Sequence, residues 1–242
     1  MIRQFDQQLE KLRTKIIKMC SLVDEQVDLA LKSFNEENIE YAKTVIERDS
    51  IVDKYDVKIE KACQKIIALN QPVAMDLRLI LSALTINTNL ERIGDIAVNL
   101  AEAAIEIKKK PDFIDRIPYY KMAATAKQML KDSIDSLIEA NPHLAQKVIK
   151  MDDELDNYDK SSYEVLLKIM KESPNNIEAG VTMLIISQQL ERIGDHATNI
   201  AEDVFFIVEA QMIKHKYEKF LFGEEESEDD DKDINNEEEK PI

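Results

Sequence analysis

An all-α fold of two tandem three-helix bundles is what this sequence predicts, and three observations carry the prediction. Residues 90–102 (LERIGDIAVNLAE) recur as residues 190–202 (LERIGDHATNIAE), with ten of thirteen positions identical at an offset of one hundred residues; a repeat on that scale sets the architecture before any local reading. Apolar residues recur at helical spacing in long runs, while the 242 residues include only four glycines and six prolines. The breaks in that periodicity carry asparagine, serine and proline signals and fall at matching points of both halves.

A first helix is expected over residues 3–34, with Phe5, Leu9, Leu12, Ile16, Met19 and Val23 along one face. Asn35 is expected to cap a second helix over 36–69. Gln71-Pro72 interrupts the pattern, and a third helix follows through Leu77, Ile80 and Leu84, carrying the first repeat motif as far as Lys109. Residues 108–118 (KKKPDFIDRIP) hold two prolines and a basic cluster and read as the linker. The second half follows the same plan. One helix is expected over 119–140, a second from the Asn141-Pro142 start to about Glu172, and a third from Ser173-Pro174 to about His215. The expected domains are a first bundle at 1–109, a linker at 110–118, a second bundle at 119–222 and an acidic tail at 223–242. Helices of about 30 residues would be roughly 45 Å long.

The formal net charge of −16 argues against nucleic acid as a partner, since phosphate binding needs clustered lysine and arginine. Residues 223–242 contribute −9 of it, from eleven acidic side chains and two lysines, and read as a disordered, solvated tail. Cys20 and Cys63 are isolated, with no CxxC spacing, so neither a disulfide framework nor a thiolate metal site is expected. No secretory leader and no apolar run near the ~20 residues of a bilayer span can be read, so a cytoplasmic protein is expected.

The repeated motif bears the chemistry. At about 100° per residue, Glu91, Asp95, Asn99 and Glu102 share an arc of about 80°, and Glu191, Asp195, Asn199 and Glu202 repeat it. Each copy is a ladder of carboxylate and amide oxygens on a helix that is apolar around most of its circumference, which is the pattern of a buried helix. A second repeat, 45–56 (VIERDSIVDKYD) against 148–159 (VIKMDDELDNYD), sets Asp49, Asp53 and Asp56, and Asp152, Asp156 and Asp159, in rows at i, i+4 and i+7. These rows are bordered by apolar residues and are expected at a helix–helix groove, with positive charge nearby to offset their repulsion. A single ExxxD reads best as a solvated helix face; two copies, each with an Asp row on a neighbouring helix, point instead to cation binding. Oxygen-only ligand sets suit magnesium or manganese, and bridging carboxylates also suit iron or zinc. Arg92 and Arg192 lie about 100° from the preceding glutamate and are expected in interhelical ion pairs. Gly94 and Gly194, each costing about 1 kcal/mol in a helix interior, suggest close approach of a backbone or a bound group.

A di-iron carboxylate enzyme would need Glu-x-x-His pairs. The histidines are His143, His196 and His215, and none follows a glutamate by three. His196 stands where the first copy has Ile96, which favours a packing role over ligation. With no glycine-rich phosphate loop and no nucleophile–base motif, no enzymatic activity is expected.

Together these segments resemble the PhoU family, the accessory regulators of bacterial phosphate-specific transport. The resemblance rests on ERIGDIAVNLAE (91–102), ERIGDHATNIAE (191–202), QPVAMDLR (71–78) and LAQKVIKMDDELD (144–156), and it covers about residues 1–220. It implies two three-helix bundles related by pseudo-twofold symmetry, and multinuclear iron or zinc clusters, or manganese or magnesium, at Glu91, Asp95, Glu191 and Asp195. Asp49, Asp53, Asp152 and Asp156 would be further ligands, and Asn99, Glu102, Asn199 and Glu202 continue the ladders. It implies a homodimer and a negative regulator of the phosphate regulon, active when phosphate is abundant. Its partners would be the sensor histidine kinase and the ATPase subunit of the phosphate ABC transporter, reached at the inner membrane face through those proteins alone. A ferritin-like carboxylate protein, or a regulator of another anion transporter on the same fold, are the alternatives.

Overall fold

Six helices follow one another in the order of the repeat: α1 (Gln4–Asn35), α2 (Ile39–Asn70), α3 (Ala74–Ile107), α4 (Tyr119–Glu139), α5 (Pro142–Glu172) and α6 (Ile177–Glu209). This computed structural model describes residues 4–210, which lie within one compact unit. The last residues expected for the sixth helix, the end of the second bundle (211–222) and the acidic tail lie outside the described residues. α1, α2 and α3 pack on one another, and so do α4, α5 and α6. No helix among the described residues is long and apolar enough to cross a membrane.

The turn between the first two helices differs from the expected cap, whereas the Asn141-Pro142 start of α5 is as expected, and both turns have the same form. Asn35 ends α1 and does not begin α2. Glu37 adopts a left-handed conformation (φ 54°), Asn38 N–H donates to Ser33 O (3.0 Å), and the Asn38 side chain accepts from Glu40 N–H (3.1 Å). In the second half Ala140 is left-handed (φ 51°), Asn141 N–H donates to Ser136 O (2.9 Å), and the Asn141 side chain accepts from His143 and Leu144 N–H. One asparagine thus closes a helix and opens the next. The linker is packed. Phe113, Ile114 and Ile117 are buried around a 3-10 turn at Ile114–Arg116, and the Arg116 guanidinium donates to both carboxylate oxygens of Glu172 (2.8 and 2.7 Å). A second 3-10 turn, Pro174–Asn176, precedes α6, which therefore starts three residues later than the serine–proline signal suggests.

The two halves join through α3 and α6, with a smaller contact between α1 and α4. Leu90, Ile93 and Ala97 are fully buried on α3, as are Leu190, Ile193 and Ala197 on α6; each leucine or isoleucine contributes about 1.5–3 kcal/mol by its removal from water. The seam between α3 and α6 is antiparallel and follows the sequence repeat. Asn99 donates to Gln189 (3.1 Å) and Asn199 donates to Asn89 (3.3 Å), and exchanging the halves, one hundred residues forward for the donor and one hundred back for the acceptor, turns the first pair into the second. A pseudo-twofold axis therefore passes between the centres of the two motifs. At the other contact the Arg13 guanidinium donates to Ile138 O (2.9 Å), and Lys127 pairs with Asp28.

The repeated glycines make room for side chains, not for a backbone or a bound group. A Cβ on Gly94 would lie 3.2 Å from Val52 Cγ1 and 3.4 Å from Gln26 Oε1. On Gly194 it would lie 2.3 Å from Leu155 Cδ2 and 3.3 Å from Met129 Cε. Gln26 and Met129 thus hold equivalent places, yet Gln26 is buried and neither atom of its amide has a hydrogen-bond partner.

Gly194→Ala is expected to overpack the second bundle at a cost of about 1–3 kcal/mol, only partly offset by the ~1 kcal/mol gain in helix propensity. Gly94→Ala needs a smaller shift and should be close to neutral; calorimetric melting of both variants compares them. Gln26→Met, which copies the second half, should raise stability by about 1 kcal/mol by removing an unpaired buried amide. That corresponds to roughly 2–4 °C in Tm.

Candidate functional site

The paired Asp rows and repeat motifs meet as two carboxylate clusters. On α2 and α3, Asp49, Asp53 and Asp56 face Glu91 and Asp95. The charge of Asp95 acts on Asp49, and those of Asp53 and Asp56 act on Glu91. On α5 and α6, Asp152, Asp156 and Asp159 face Glu191 and Asp195 with the same couplings. The groove position expected for the acidic rows is what the helix packing produces. Local hydrogen bonds orient the rows: Asn87 donates to Asp56 Oδ1 (2.6 Å), Ser187 to Asp159 Oδ1 (2.8 Å) and Thr198 to Asp152 Oδ1 (3.2 Å). Asn87 and Ser187 are repeat equivalents that sequence reasoning passed over, although the one-hundred-residue offset pairs them.

Burial and mutual repulsion load both clusters with unfavourable charge. Desolvation, followed by the charge of Asp53 and Asp95, holds Asp49 above the ordinary carboxylate range; desolvation followed by Asp95 does so for Glu91. The second cluster is more strained. Desolvation and the charge of Asp195 push Asp152 up to about 6, and desolvation with Asp195, Asp159, Asp156 and Asp152 pushes Glu191 up to about 7. Asp195 is raised as well, by desolvation and then by Asp156. The compensating cations differ from expectation. Arg92 reaches Glu91 and Asp95 of its own helix (3.5 Å each) and does not pair across to another helix, because its side chain folds back along the turn it leaves. Lys160 lies 3.6 Å from Asp156.

The remaining residues of the ladders go elsewhere. Asn99 and Asn199 are used in the α3–α6 seam, where their amide N–H groups donate across the pseudo-twofold axis. Glu102 is exposed on α3, whereas its counterpart Glu202 is buried on α6. His196 belongs to the seam too. Its Nδ1 lies 2.9 Å from Asn89 Oδ1, an acceptor, so the ring donates there. Burial, then Arg192 and Arg92, hold its pKa below the usual histidine value.

The donor set fits a hard cation or a carboxylate-bridged cluster in kind: five carboxylates on each side, several held above their ordinary pKa by burial and then by one another. No preformed cage is present, since among the described residues no three histidine, cysteine, aspartate or glutamate side chains already converge as a metal site.

The fold and the site together define a duplicated helical bundle with a carboxylate cluster in each half. The PhoU domain model matches residues 16–104 and again 119–204, and the chain belongs to the PhoU family. The phosphate-specific transport system accessory protein PhoU homolog of Aquifex aeolicus is 37% identical over 212 residues, 88% of this chain and 96% of that protein. The PhoU of Escherichia coli is 30% identical over 226 residues, 92% of this chain and 94% of its own length. Among solved structures, PhoU from Pseudomonas aeruginosa superimposes with a TM-score of 0.82 at 31% identity, covering 86% of this chain and all of its own. The phosphate transport system regulatory protein PhoU from Streptococcus pneumoniae gives 0.77 at 26% identity, covering 86% of this chain and 99% of its own.

Because Asp152 and Glu191 hold their protons more tightly folded than unfolded, their contribution to stability is fully present below about pH 4 and is lost as pH rises through about 6 and 7. Asp152→Asn and Glu191→Gln are therefore expected to raise Tm at pH 8 and to flatten its decline between pH 5 and 8, read from melting curves in chelator.

Proposed function

We propose that this chain is a regulatory accessory of phosphate uptake, acting as a negative regulator of the phosphate response when phosphate is plentiful. One observation carries this reading: the PhoU domain is matched in both halves, over nearly the full length of relatives named as phosphate-specific transport accessory proteins. The finer reading is that it restrains a sensor histidine kinase and the ATPase subunit of a phosphate ABC transporter by binding them at the membrane's inner face, as a homodimer. Long packed helices with a rigid seam suit a protein that works by contact.

In the same reading the clusters are metal sites. Glu91 and Asp95 with Asp49 and Asp53, and Glu191 and Asp195 with Asp152 and Asp156, would hold iron, zinc, manganese or magnesium. A bound cation supplies positive charge that cancels the repulsion within each cluster. The protein's part is to hold α2 against α3 and α5 against α6, so that neutralisation stiffens each groove without opening the core.

The test is complementation in cells lacking their own PhoU-family regulator and grown in abundant phosphate, with a phosphate-starvation reporter as readout. The chain should restore repression; continued high reporter activity with normal expression would refute the regulatory reading. Elemental analysis of untagged protein, beside Asp95→Ala with Asp195→Ala, addresses the metal. More than one iron or zinc per chain, lost in the variant, is expected, and a metal-free wild type loaded with none of these ions would remove the metal from the proposal.

A further inference from the structure

The groove between α5 and α6 changes character along its length. One end holds the second carboxylate cluster. At the other, Tyr163 and Leu167 of α5 and Ile177 and Val181 of α6 are each 37–54% exposed. At about 100° per residue, Tyr163 and Leu167 prolong the row of Asp152, Asp156 and Asp159, while Ile177 falls on the arc of Glu191 and Asp195 and Val181 about 40° past its edge. The antiparallel register brings these apolar stretches side by side. Ser187 is bonded to Asp159, and a Cβ on Gly180 would meet Met170, so residues 163–167 run alongside 180–187. Isolated exposed apolar residues are ordinary, but a contiguous set rimmed by charge marks a contact surface.

The first half repeats only the α6 wall of this surface, with Leu81, the counterpart of Val181, 48% exposed on α3; its α2 wall is polar. Where the second half has Tyr163 and Leu167, the first has Glu60 and Gln64, hydrogen-bonded to each other (2.9 Å).

We propose that the α5–α6 groove docks an amphipathic helix of a partner protein. Its apolar side chains, at i, i+4 and i+7, would seat on Tyr163, Leu167, Ile177 and Val181, and its lysines and arginines would lie one to two turns further on, opposite the second carboxylate cluster. This rests on the regulatory reading above and names the surface that serves it. Charge and length select the occupant. Five carboxylates at one end favour a basic segment and disfavour an anionic lipid surface. The run from Ile177 to Asp195 spans about 27 Å, five helical turns, which a helix fills and a small ligand does not.

The test uses the full chain and fluorescently labelled 18-residue helical peptides with an apolar half and a basic half, made in both orders, with a scrambled control. One order should bind above the control and weaken between 50 and 500 mM salt, as screening requires. Leu167→Asp with Val181→Asp should weaken it by at least about tenfold, the loss expected of central anchors, with circular dichroism confirming the fold. Leu81→Asp, the first-half counterpart of the Val181 change, should leave binding unchanged. Undiminished binding by the double variant, equal loss with Leu81→Asp, or no ordered peptide exceeding the control would each overturn the proposal. So would a dimer that the double variant converts to monomer in sedimentation, which would give the groove to a second copy. The same double variant in the complementation assay separates the two readings. Wild-type repression lost in the variant supports the groove; wild-type repression kept in the variant refutes the groove and leaves the regulatory role standing. A wild type that does not repress refutes the role, and the peptide measurement then decides the groove alone.

Discussion

The antiparallel seam of α3 against α6 is the constraint on which the rest depends. Its two amide bonds, Asn99 to Gln189 and Asn199 to Asn89, are symmetry counterparts, and they set the register at which the bundles meet. Once that register is set, both helices are covered on most sides: by the other two helices of their own bundle and by each other. The arc left open on each is the one that carries the carboxylates. The clusters are therefore a consequence of how the seam uses the helix circumference, and their charge is tolerated because that arc keeps partial access to water.

Repulsion within the clusters works against the packing that creates them. In the second cluster burial raises Asp152 and Glu191 toward neutrality, so the fold holds these carboxylates at a cost in stability near neutral pH. Arg92 relieves part of this in the first cluster. The second has Arg192 nearby, with Lys160 on Asp156 and the Thr198 hydroxyl on Asp152. Any partner or cation that brings positive charge to these grooves removes a cost already present in the free protein.

Duplication also allowed the halves to diverge. Val98 in the first motif is Thr198 in the second, which adds a donor to Asp152; Ile96 becomes His196, which bonds across the seam to Asn89. Gln26 stands in the first core where Met129 fills the second. Glu60 and Gln64 keep one outer groove polar where Tyr163 and Leu167 make the other apolar. The halves share a skeleton and differ in what their outer faces can meet.

By itself the sequence determined the helical class, the duplication, the central place of the two repeat helices and the pairing of acidic rows into grooves. Each of these follows from periodicity, which records which side of a helix is apolar and needs no knowledge of neighbours. The tertiary structure decided what spacing does not encode. It placed the junction cap at Asn38, because the left-handed turn at Glu37 lets one residue serve both helices. It turned Arg92 back onto its own helix, and it opposed the repeat glycines with Leu155 and Val52. It also drew Asn99 and Asn199 out of the ladders and into the seam. These outcomes depend on which helix lies across each residue, and that is settled only when the two halves pack.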